Sequence, residues 1–186
     1  MDITLKSRFE TFAGLTGSGD TLRADATEPT EAQRLRLCDV FGVPYSVGDR
    51  RPQHNELVIL SAASDDDPLH VCFPPWDGGD LRATHAPGPT CRMRIRRMDG
   101  DGMVRSGDRV AFCSPERVTQ NGSSVGVNRR RKWLKAGDDP VHTLKIESWA
   151  DSPGDGEIFV LDEAVVLPGA LEGAVRWFQT PTWAAA

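Results

Sequence analysis

The sequence predicts an all-β protein, a β-trefoil of three four-stranded units followed by a short C-terminal extension. Three observations carry this. A strand-like stretch ending in serine recurs at Ser7, Ser61 and Ser114, a period of roughly fifty residues. Two further markers follow it, in the same order, in every unit. Gly, Pro and Asp punctuate the joins, and almost nothing reads as helix.

The first strand of each unit is "ITLKS" at 3–7, "LVILS" at 57–61 and "RVAFCS" at 109–114. The second is expected in "TFAGLTG" at 11–17, "LHVCF" at 69–73 and "SSVGVN" at 123–128. The third carries "LRA" at 22–24, "LRA" at 81–83 and "LKA" at 134–136, with Leu and Ala sharing one face and the cation on the other. The fourth is "LRL" at 35–37, "MRI" at 93–95 and "LKI" at 144–146. Its apolar residues face in, and Arg36, Arg94 and Lys145 face out, the period-2 pattern of a half-buried strand. The units then run over about 2–50, 51–103 and 104–150. Their first and last strands form a six-stranded barrel, and their middle pairs form three capping hairpins. Closing the sheet removes exposed edges. The segment "TEPTEAQRL" at 27–35 has room for one helical turn.

Residues 151–186 form the extension. "EIFVLDEAVVL" at 157–167 reads as an extra strand clasped on the barrel. Beyond it, Leu171, Val175 and Phe178 have the spacing of a short amphipathic helix, with Trp177 and Trp183 nearby. An aromatic tail of this kind packs on the barrel or joins two copies in a homodimer.

Residues 3–37, "ITLKSRFETFAGLTGSGDTLRADATEPTEAQRLRL", resemble one repeat of the fascin-like, actin-cross-linking β-trefoils. In those repeats an apolar strand ends in a small polar residue. An aromatic-led strand, a Gly-rich turn, "L-V-A-[DN]" and "E-x-F-x-L" follow. The resemblance extends to 107–147 and fades over 57–96. It implies a β-trefoil and a non-catalytic binding role, although one fold hosts many functions.

Composition narrows the function. A formal charge of −5 argues against general nucleic-acid binding. No stretch approaches the ~20 apolar residues of a membrane span. "MDITLKSRFE" has no apolar signal core, so a cytoplasmic location is expected. Abundant Arg, Ala, Gly, Asp and Val with scarce Lys suit a high-GC bacterial genome. Cys38, Cys72, Cys91 and Cys113 form no CxxC pair, and all four are expected as reduced thiols.

No phosphate loop, dinucleotide fingerprint, HExxH or GxSxG is present, so no catalytic residue and no cofactor are assigned. His70 and Cys72 share a strand face and could both touch a metal, but no second ligand pair exists, so none is assigned. "DDD" at 65–67 reads as a solvated turn.

The most distinctive segment is "FPPWDGGDLRATH" at 73–85, in the second cap hairpin. Trp76 follows two prolines and stands beside Asp77, Asp80 and Arg82, with His85 just beyond. An aromatic plate next to carboxylates suits a sugar, whose CH groups stack while its hydroxyls bond to the acids. These five residues are the candidate ligand site, for a carbohydrate or another small molecule. A secondary anion site is the run Arg129, Arg130, Arg131, Lys132 and Trp133. Arg92, Arg94 and Arg96 alternate along one strand, where they either balance the acidic surplus or form a basic stripe. The function expected is therefore non-catalytic binding. The alternatives are a motif-less, cyclase-like biosynthetic enzyme with a shaped pocket and a partner-docking scaffold.

Overall fold

The computed structural model describes residues 1–15, 22–46, 50–63, 68–72, 79–115, 118–119 and 129–164. Their strands are β1 (Asp2–Lys6), β2 (Phe12–Leu15), β3 (Leu22–Ala26), β4 (Leu35–Cys38), β5 (Leu57–Ala62), β6 (His70–Cys72), β7 (Gly79–Asp80), β8 (Arg82–Thr84), β9 (Arg92–Arg97), β10 (Arg109–Cys113), β11 (Val118–Thr119), β12 (Arg129–Ala136), β13 (Leu144–Ala150) and β14 (Phe159–Glu163). Helical structure among them is limited to three short 3-10 turns.

Six strands close an antiparallel barrel. β1 pairs with β4, β4 with β5, β5 with β9, β9 with β10, β10 with β14, and β14 returns to β1. Period-2 alternation explains the closure, because each strand sends two apolar side chains inward. They are Ile3 with Leu5, Leu35 with Leu37, Val58 with Leu60, Met93 with Ile95, Val110 with Phe112, and Phe159 with Leu161, all fully buried in one cluster. Burying each such side chain stabilises by about 1.5–3 kcal/mol.

Six of the remaining strands make antiparallel pairs, β2 with β3, β6 with β8, and β12 with β13, while β7 pairs with β13 and β11 with β12. Ala13, Leu22, Ala24, Val71, Leu81, Leu134, Ala136 and Leu144 bring these pairs into the barrel's own core cluster. The pairs also meet one another. Ala24 N donates to His142 O at 3.1 Å, and Leu81 N donates to Leu144 O at 3.3 Å. The turn expected within 27–35 is a 3-10 turn, Glu31–Gln33, capped by Thr30. It lies so close to β2 that a Cβ on Gly14 would stand 2.5 Å from Ala32 O, so only glycine fits there.

The structure corrects two expectations. The sixth barrel strand is Phe159–Glu163, not "LKI" at 144–146. Leu144–Ala150 instead pairs with Arg129–Ala136 as a hairpin, and "LKA" at 134–136 belongs to that hairpin's first strand. The "F-V-L" of β14 alternates as well as "LKI" does, but its outward residues are Val160 and Asp162, so a cation-centred marker passes over it. The barrel therefore runs past residue 150 and includes Phe159–Glu163 of the expected extension. The proposed strand at 123–128, the acidic turn at 65–67 and the aromatic tail from residue 165 onward lie outside the described residues.

The second correction concerns the thiols. Cys72 and Cys91 are joined as a disulfide, while Cys38 and Cys113 are free and buried. The two bridged cysteines are 19 residues apart in sequence. They meet because the 3-10 turn Pro89–Cys91 packs beside β6, a tertiary contact that sequence spacing does not reveal.

Candidate functional site

The second hairpin is built on β5. Ser61 on β5 pairs with His70 on β6, and His70, Val71 and Cys72 pair with Thr84, Ala83 and Arg82 on β8. Three devices hold this hairpin. Ser61 Oγ lies 2.7 Å from His70 Nδ1 within a buried pair. The Cys72–Cys91 bridge ties the hairpin to the turn that leads into β9. At the far end β7 leaves the hairpin and pairs with the third, Asp80 opposite Lys145 and Gly79 opposite Ile146. Leu81, fully buried, anchors the switch between these two pairings.

Of the five predicted ligand residues, Trp76 and Asp77 lie outside the described residues. Asp80 and Arg82 flank the Leu81 anchor, on strands that face different partners. Asp80 therefore sits where the second and third hairpins join. Lys145, opposite it, is 3.7 Å from Asp139 Oδ2. Asp139 is held ionised, its carboxyl pulled below the usual range by bonds from Thr143 and Val141. His85 is exposed just after β8, near enough to His70 for its charge to disfavour protonation there. Burial is the larger cause and pushes the His70 pKa down.

Ser61 and His70 resemble a nucleophile and base in spacing, but Ser61 is completely buried. A nucleophile must be reached by its substrate, so this bond holds strands rather than attacks a ligand. Sequence reasoning marked Ser61 only as a repeat landmark and missed its bond to His70, because the two meet through strand pairing alone. Among the described residues no group of three His, Cys, Asp or Glu side chains is arranged to hold a metal. Cys72, weighed as a metal ligand with His70, is committed to its disulfide.

The basic run lies along β12. Arg129 and Arg130 pair with Thr119 and Val118 of β11. Trp133, weighed as part of the anion site, is fully buried; its Nε1 donates to Ala150 O at 2.9 Å, and it packs on Ala111 and Cys113. It is a core residue on the barrel's outer wall and offers no exposed ring. Lys132 is also buried. Arg131 Nη1 donates to Ser114 O at 2.8 Å and Pro115 O at 3.1 Å. Arg94 reaches the same Pro115 O through Nε at 2.9 Å, and its Nη1 donates to Asn55 O at 2.8 Å. The structure thus joins two features that are separate in sequence, the β12 run and the β9 stripe.

No protein-family model matches the chain, and no curated protein does. Solved structures do. The SDF2-like protein from Arabidopsis thaliana superposes with a TM-score of 0.61 at 12% identity, covering 90% of this chain and 94% of its own. A Caenorhabditis elegans protein of unknown function superposes with a TM-score of 0.56 at 12% identity, covering 87% and 93%. At such identity the likeness is one of fold alone. No helix among the described residues is long and apolar enough to cross a membrane.

Proposed function

We propose that this chain is a β-trefoil binding protein, non-catalytic, that takes a small molecule or carbohydrate at its second hairpin. The strand pairings support the fold assignment. Grouped in order, β1–β4, β5–β9 and β10–β14 each place their outer strands in the barrel and an inner pair in a hairpin. The resemblance of residues 3–37 to fascin-like repeats points the same way.

The observation that carries the ligand site is the anchoring of this hairpin at its base and at its far side. The Ser61–His70 bond and the Cys72–Cys91 bridge hold one end, and the β7–β13 ladder holds the other. A segment held at both ends loses less entropy when it captures a ligand, and the two prolines before Trp76 act in the same direction. In this reading Trp76 is the stacking floor, Asp77 and Asp80 accept from hydroxyl groups, and Arg82 or His85 closes one side. An aromatic contact contributes about 0.5–1.5 kcal/mol beyond its area burial, so affinity is micromolar to millimolar.

A glycan array followed by calorimetric titration of wild type and Trp76→Ala tests this. Trp76→Ala is expected to bind roughly tenfold more weakly while melting normally, the equivalent of about 1.4 kcal/mol. A folded Trp76→Ala protein that binds the same ligand equally well places the site elsewhere.

A further inference from the structure

The outer wall of the barrel, between the second and third units, carries a row of arginines that the hairpin site does not use. Arg92, Arg94 and Arg96 alternate along β9, so all three point away from the core that holds Met93 and Ile95. Successive side chains on one strand face stand about 7 Å apart. Arg94 lies opposite Cys113 and Arg96 opposite Ala111 on the neighbouring β10. Arg131 approaches from β12 beyond Trp133. Because Arg94 and Arg131 donate to one oxygen, that of Pro115, their donor nitrogens are no further apart than those two bonds laid end to end. Burial pushes the Cys113 thiol pKa up, and the charges of Arg131, Arg96 and Arg94 act on it in the opposite direction.

Most of the chain's other described arginines are neutralised, Arg8 by Asp138 among them, although Arg23 and Arg105 show no carboxylate partner. Arg34, Arg36, Arg50, Arg51, Arg97 and Arg109 each pair with a carboxylate. The protein is acidic, so carboxylates are not scarce. Yet among the described residues Arg92, Arg94, Arg96 and Arg131 have no carboxylate partner. Arg94 and Arg131 are held in place by neutral carbonyls, which fix the guanidinium without cancelling its charge. Arg96 Nε is buried with no hydrogen-bond partner. A set of like charges, positioned but not neutralised, is what a planar-fork anion site requires.

We propose that Arg92, Arg94, Arg96 and Arg131 form a binding site for tetrahedral oxyanion groups, the phosphate or sulfate esters of a small polyanionic ligand. Arg94 and Arg131 are the fixed pair, and Arg96 and Arg92 extend the site along β9 so that it spans two adjacent ester groups. The site is distinct from the second hairpin and stands or falls without it.

The test is calorimetric titration of the intact chain with inorganic pyrophosphate and, separately, with a disulfated disaccharide, at ionic strength matched by sodium chloride. Saturable binding is expected in at least one arm. Binding in the pyrophosphate arm alone assigns phosphate esters, and in the sulfated arm alone sulfate esters. Binding in both assigns the oxyanion itself. Arg96→Ala is expected to weaken it at least tenfold. Since the Arg96 side chain shows no hydrogen bond among the described residues, the variant's melting temperature should stay that of wild type. Arg105→Ala removes an exposed guanidinium away from the wall and should change nothing. If neither oxyanion saturates beyond the chloride baseline, or Arg105→Ala loses as much as Arg96→Ala, the proposal fails.

Discussion

Ser61 Oγ and His70 Nδ1 lie 2.7 Å apart on paired strands, and both side chains are buried. Burial first, and the nearby His85 second, keep the His70 imidazole neutral in the folded chain, its pKa below the ordinary 6.5. In the unfolded chain it titrates near that ordinary value. Between the two values the unfolded state binds more protons, so stability rises with pH across this window and is lost as pH falls below about 6.5. The melting temperature of wild type is therefore expected to drop more steeply between about pH 7.5 and pH 5 than that of His70→Gln. Equal slopes would remove His70 as the cause.

The cross-link makes a countable prediction. Protein unfolded without reductant should titrate two thiols, Cys38 and Cys113, and four after reduction. Reduction should also lower unfolding stability by about 3 kcal/mol, since the bridge restrains the loop between β6 and β9 in the unfolded chain. Four thiols before reduction would show that the bridge does not form.

Barrel closure by β14 is open to mutation. Phe159→Ala should destabilise by about 3–5 kcal/mol, because its ring fills the barrel interior. Val160→Ala, on the outer face of the same strand, should change stability by less than about 1 kcal/mol. Urea denaturation of the two variants measures both, and equal losses would mean that Phe159 does not face a sealed interior.

Much of the barrel was legible because its physics is local. Leu35 with Leu37 and Met93 with Ile95 announce their faces through alternation alone, and the structure buries all four. The third unit misled the same reasoning. Its outward positions in β14 are Val160 and Asp162, not a cation, while the hairpin strand β13 carries the apolar–basic–apolar sequence expected of a barrel strand. Alternation identifies a strand but not its partner, and "LKI" pairs with β12. Contacts set by pairing were equally hidden: Ser61 with His70, Cys72 with Cys91, and Arg94 with Arg131 across Pro115. Each joins residues on different elements, and no short window of sequence holds both members. Trp133 shows the converse. Next to four cations it reads as a surface aromatic, but alternation along β12 turns it onto Ala111 and Cys113.

The antiparallel contact of Ile3 with Glu163 and Leu5 with Leu161 has a consequence for how the protein comes into being. On a ribosome β1 emerges well before β14, because the other four barrel strands lie between them in the chain. Until β14 arrives, β1 and β10 each keep one unsatisfied row of backbone groups, and the barrel is an open five-stranded sheet. Pairings so distant in sequence form slowly, and open strand edges invite pairing with other chains. The interval before closure is thus the one in which the barrel strands are most exposed to pairing with other chains.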